Sequence, residues 1–159
     1  MSYSIHPQDG LLDAIRKSDL DSLNQSIAAG ADINFQDSKG FTPLIIATYT
    51  GNLAIAQALI GAGADVDRQD VSGNTALMGV SFKGYAHIAQ LLIDNGAALD
   101  IQNGNGGTAL MFATLFGRNQ LVKLLLDYGA DTTLRDIRGL TALDLAIQQG
   151  NEEALSWLQ

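Results

Sequence analysis

Cysteine is absent from this 159-residue chain. That excludes disulfides, thiolate metal sites and cysteine nucleophiles. Histidine occurs twice, as His6 and His87. Neither forms a familiar metal or base motif with a second histidine or a carboxylate at helical spacing, so each is read as solvated or locally bonded. No G-x-S-x-G, H-E-x-x-H or phosphate-loop pattern occurs, and no enzyme, cofactor or metal site is expected. No apolar run approaches the roughly 18–20 residues that span a bilayer. The opening MSYSIHPQDG lacks a basic stretch followed by an apolar core. A cytoplasmic location is therefore expected, although a mature exported form would read the same way. Basic residues are scarce: nine Lys and Arg stand against seventeen Asp and Glu, a net charge of −8. That balance argues against nucleic acid, whose phosphates demand a basic footprint.

What the chain does have is a period. Thr42, Thr75, Thr108 and Thr141 lie 33 residues apart, and Leu44, Leu77, Leu110 and Leu143 keep the same step. Glycine repeats with it in three columns, beginning at Gly30, Gly40 and Gly51. Alanine follows the first of these each time, at Ala31, Ala64, Ala97 and Ala130. Columns in register without a gap mark a repeat array.

Each unit reads physically. Asp37, Ser38, Lys39 and Gly40 have turn composition. Thr42 can cap a helix whose first position is Pro43, where a missing N–H is harmless. That helix runs to about Thr50 and ends at Gly51. A second helix from Asn52 to about Ala62 carries Leu53, Ile55, Ala56, Leu59 and Ile60 at helical spacing. Helices below about 12–15 residues are marginal alone in water, so each pair must bury its faces against its neighbours.

The pattern D-x-x-G-x-T-P-L, then alanine, glycine, an apolar helix and G-A-D, resembles the ankyrin repeat. Asp37, Gly40, Thr42, Pro43, Leu44, Ala47, Gly51, Leu59, Gly63, Ala64 and Asp65 carry the likeness in one unit. It extends over units at about 4–36, 37–69, 70–102, 103–135 and 136–159, one repeat domain spanning 1–159. The resemblance implies an all-α solenoid of helix-turn-helix units with projecting turn or hairpin fingers. It also implies a monomeric binding scaffold, because many unrelated surfaces are built on this fold. The first unit lacks the T-P-L signature, and Ser18 replaces its glycine, so it reads as an N-terminal cap. Histidine after the T-P-L leucine is missing; that column holds Ile45, Met78, Met111 and Asp144.

Two local features are read alongside. The stretch 103–107, rich in glycine, could suggest a phosphate cradle, but it occupies the register of an ordinary repeat turn. Gly79 falls mid-helix where other units hold Ile46, Phe112 and Leu145. Glycine there should cost about 0.5–1 kcal/mol relative to alanine. The ring of Phe112 is expected to fill the space, the alternative being a small cavity.

In the resembled architecture the fingers and first helices line a concave groove. The groove-facing positions it implies include Lys39, Phe41, Tyr49, Phe82, Lys83, Leu115, Phe116, Arg135 and Arg138. Arg16, Lys17, Gln36, Gln69 and Gln102 occupy further such positions. None of the seventeen acidic residues falls in this set, whereas six of the nine basic ones do. Exposed aromatics rimmed by positive charge are typical anchors of a protein interface. The expected function is a non-catalytic interaction module gripping another protein by an acidic or mixed surface. A basic groove taking an anionic ligand or nucleic acid is the alternative. For the rings themselves, the competing reading is that they pack between units as filler.

Overall fold

A computed structural model describes residues 6–159, and within them the chain forms ten helices and no strand. The helices are α1 Pro7–Lys17, α2 Leu20–Ala28, α3 Pro43–Tyr49, α4 Leu53–Gly61 and α5 Ala76–Lys83. There follow α6 Ala86–Asp94, α7 Ala109–Leu115, α8 Asn119–Asp127, α9 Ala142–Gln149 and α10 Glu152–Leu158. Odd helices stack on odd and even on even, and each odd helix also packs on the even helix that follows it. The result is a two-layered array with one core running its length. Leu44, Leu77 and Leu110 lie at its centre beside Leu59, Leu92 and Leu125, all fully buried.

The starts of the helices follow from their caps. Thr42, Thr75, Thr108 and Thr141 each accept, through the side-chain hydroxyl, the amide three residues on. At the last of them Asp144 returns the bond to the Thr141 amide, closing a capping box. The Thr141 amide and hydroxyl hold the Asp144 carboxyl below its ordinary value. The Ser22 hydroxyl and amide do the same for Asp19, the N-cap of α2. The Thr133 hydroxyl and amide act likewise on Asp131. A carboxyl lowered on folding stabilises above its unfolded value, and its contribution is lost as acid protonates it.

The ends of the first helices need a left-handed residue, and one unit meets that need poorly. Gly51, Gly84, Gly117 and Gly150 all have positive φ. Ser18 holds the same place at φ 55°, the one non-glycine with positive φ among the described residues. A side chain there costs about 1–2 kcal/mol. Ser18→Gly is therefore expected to stabilise the protein by roughly 1 kcal/mol. A rise in the urea midpoint with an unchanged slope would show it; an unchanged midpoint would mean that Ser18 is not strained.

Between helix pairs the chain turns outward at residues 37–41, 70–74, 103–107 and 136–140. Each of these fingers is a tight turn, not a strand pair. The first residue's side-chain Oδ1 accepts the amides two and four positions on: Lys39 and Phe41 to Asp37, for example. Asn103 does the same for Asn105 and Gly107, so the glycine-rich finger is an ordinary member of the series with those amides already engaged.

Candidate interaction face

The fingers are tied to one another. Val71 N–H donates to the Lys39 carbonyl at 3.0 Å, Gly104 N–H to Ser72 at 2.9 Å, and Ile137 N–H to Asn105 at 2.8 Å. Behind them runs a second ladder. The Gln36 amide nitrogen donates to the carbonyls of Gly40 and Gln69, that of Gln69 to Gly73 and Gln102, and that of Gln102 to Gly106 and Arg135. Arg135 ends the series, donating from its guanidinium to the Gly139 carbonyl at 2.8 Å. These positions were expected to face a partner, yet their amide or guanidinium groups brace the finger bases. The signal was present: glutamine recurs three times at the 33-residue step.

Along the first helices the aromatic side chains form a row. Tyr49, at the end of α3, stacks parallel to Phe82 of α5 at 6.4 Å between centroids. Phe82 meets Phe116 edge-on at 4.6 Å, and Phe116 stacks on Phe112 at 6.5 Å. Tyr49 is 44% exposed and Phe116 43%, so neither is interior filler. Phe82 is half-buried between them and serves both packing and surface. The Lys83 ammonium lies 4.6 Å from the Tyr49 ring centre, a cation–π contact. Tyr49, Phe82, Lys83 and Phe116 thus form one cluster, and Phe41 and Tyr49 line the same depression as Phe82. Leu115 and Arg138 line a second depression nearer the C-terminal end. Lys39 and Arg138 sit in the fingers, both exposed.

The basic character is weaker than the count of positions suggested. Arg138 donates to Asp136 of its own turn at 2.9 Å, and Lys17 pairs with Asp13 at 2.9 Å. Burial pushes the Asp136 carboxyl up, but the Leu140 amide and the Arg138 guanidinium and amide together outweigh it, so the net shift is down. Among the described residues, Lys39 and Lys83 have no carboxylate within ion-pair distance. Arg118 is fixed elsewhere, its Nε donating to the Phe82 carbonyl at 3.0 Å.

Gly79 departs from expectation. A Cβ placed on it would meet Tyr49 Cδ2 at 3.4 Å and no other atom within 4 Å beyond its chain neighbours and own helix backbone. Phe112 does not fill the vacancy; it turns to stack on Phe116 and stands in the wall of an open depression. His6 caps α1 through Nδ1, which accepts the Gln8 amide, and His87 is exposed on α6. On the opposite face Lys123 lies 5.7 Å from the ring centre of Trp157, the one tryptophan of the chain. Among the described residues no three His, Cys, Asp or Glu side chains converge as a metal site, and no helix is long and apolar enough to cross a membrane.

The family model described as ankyrin repeats (3 copies) matches residues 11–103 and 79–159, nearly the whole chain. The chain belongs to the ankyrin repeat family. Ankyrin repeats are generally protein–protein interaction modules and typically not enzymes. No curated protein sequence matches this chain. Within this ankyrin array the aromatic row and the Gly79 position are the features that the repeat does not carry through every unit.

Proposed function

We propose that this array binds another protein through the face made by its fingers and first helices. The aromatic row Tyr49, Phe82 and Phe116, left partly open and flanked by the unpaired Lys83, carries the reading. Phe41 and Leu115 extend the apolar surface, and Lys39 adds its charge to that of Lys83, with Arg135 and the Asp136-paired Arg138 at the C-terminal end of the face. The partner surface is acidic or mixed. The chain as a whole carries a net charge of −8, which repels such a surface and favours docking where unpaired lysines lie, on this face. The array acts alone as a monomer and turns over no substrate.

The test compares affinity capture by the intact protein and by a Lys39→Ala, Phe82→Ala, Lys83→Ala variant. Removing an aromatic hot spot and its cations is expected to weaken capture by at least about thirtyfold, equivalent to roughly 2 kcal/mol. A far-ultraviolet circular dichroism spectrum like that of the parent would show that the fold survives. Equal capture by both proteins would remove this face from consideration. Capture of nucleic acid that falls steeply with salt would instead favour an anion-binding groove.

A further inference from the structure

The repeat places Ile46, Gly79, Phe112 and Leu145 in one column. At glycine only the Tyr49 ring borders the side-chain place, at 3.4 Å from where a Cβ would stand, and the space beyond opens into a depression of about 510 Å³. Phe41, Tyr49, Met78, Phe82 and Phe112 wall it, with Gly79 among them. Toward the C-terminal end, where Leu145 fills the column, the corresponding depression is only about 330 Å³. Both lie within the roughly 300–1,000 Å³ typical of ligand sites, the smaller one at its lower edge.

The chemistry of the wall selects the guest. Several of its polar atoms are engaged within the protein. Asp70 Oδ1 accepts the Ser72 and Asn74 amides, and Thr75 Oγ1 accepts the Met78 amide. The Thr50 hydroxyl donates to Ile46 and Ala47 carbonyls, and Asn74 Oδ1 accepts from Asn103. What remains for a guest is mainly aromatic and aliphatic surface, with Asp70 Oδ2 and Asn74 Nδ2 at the finger end. Charge is arranged unequally around it: the unpaired Lys83 ammonium stands over Tyr49, and the Asp70 carboxylate lies at the finger end. Beyond Phe82 the apolar surface continues to Phe116, so the depression is one station on a longer track.

We infer that the Gly79 depression receives one bulky apolar side chain of the partner, of the leucine, methionine or phenylalanine kind, from a segment that carries a carboxylate beside it for Lys83. The guest side chain takes the place in the column that this chain's own sequence leaves empty. Asp70 sets the direction, since the segment's acidic side must lie away from the finger. The inference rests on the face being a protein-binding surface.

Selection of displayed random peptides on the intact protein tests it. Peptides sharing one bulky apolar residue next to Asp or Glu are expected to be enriched. Gly79→Leu fills the depression from within and should weaken these peptides at least about tenfold, the effect of excluding one apolar side chain. Lys83→Glu should keep the apolar preference and abolish the acidic one. In the nitrogen-15 spectrum of the intact protein, a selected peptide should shift the amides of Tyr49, Gly79, Phe82 and Phe112. That measurement stands even if Gly79→Leu folds poorly. Enrichment of peptides without the apolar residue, no enrichment at all, shifts elsewhere, or full binding by a folded Gly79→Leu would each overturn the inference. The broader reading is separable. If capture survives Gly79→Leu but not the triple alanine variant, the face binds protein without this depression; if it survives both, the face itself is wrong.

Discussion

Replacing Gly73 by alanine is expected to destabilise the protein by about 3–4 kcal/mol, whereas the same change at Gly139 costs about 1–2 kcal/mol. Both glycines close a finger with positive φ, at 82° and 80°, so both substitutions meet the same backbone strain. They differ in what the new methyl group touches. At Gly73 it would fall 2.9 Å from the Gly104 nitrogen and 3.0 Å from the Asn103 Cα, atoms of the next finger's backbone. At Gly139 nothing lies within 4 Å. Backbone cannot step aside as a flexible side chain can. The fingers must separate, breaking the bond from Gly104 N–H to the Ser72 carbonyl. The difference between the two variants in urea midpoint therefore measures finger-to-finger contact apart from turn strain. Equal losses would mean that the fingers do not touch in solution.

Truncating Leu110 to alanine is expected to cost about 3–4 kcal/mol, near the middle of the range for buried leucines. Leu110 is 1% exposed on α7, which packs against α5, α8 and α9. Leu143 occupies the same column on α9, but it is only half-buried. Its truncation should cost less than half as much. In a solenoid an interior unit supports two interfaces and an end unit one, so the penalty depends on position as well as on chemistry. Denaturation of the two variants, followed by circular dichroism, would decide. A cost at Leu143 equal to that at Leu110 would mean that the array ends are packed as tightly as the middle.

Much of the architecture was readable because it is written several times. Threonine caps, left-handed glycines and apolar stripes recur at one step, and each is a local requirement that a single unit's residues satisfy. The features missed lie between units or between side chains. Nothing within one unit says that the amide of Gln36 reaches the Gln69 carbonyl, 33 residues away. The charge of Arg138 looked free because its position was counted, but its short turn brings it onto Asp136. Phe112 was expected over Gly79 from column order alone. The choice was made by a contact sequence spacing does not encode, the stacking of Phe112 on Phe116. Tyr49, Phe82 and Phe116 stand out in the sequence one by one, but their mutual stacking and the hollow beside them do not, because an empty volume has no letter of its own.

The lone tryptophan gives the molecule an uneven voice in spectroscopy. Trp157 belongs to the final helix, and the ammonium of Lys123 from α8 sits near its ring. Its emission therefore witnesses the undocking of that one helix, while ellipticity averages over all ten. In a linear array whose ends can fray independently, the optical signal and the mean helicity describe different events. A gap between the two transitions would gauge how far the melting of the tail runs ahead of the body.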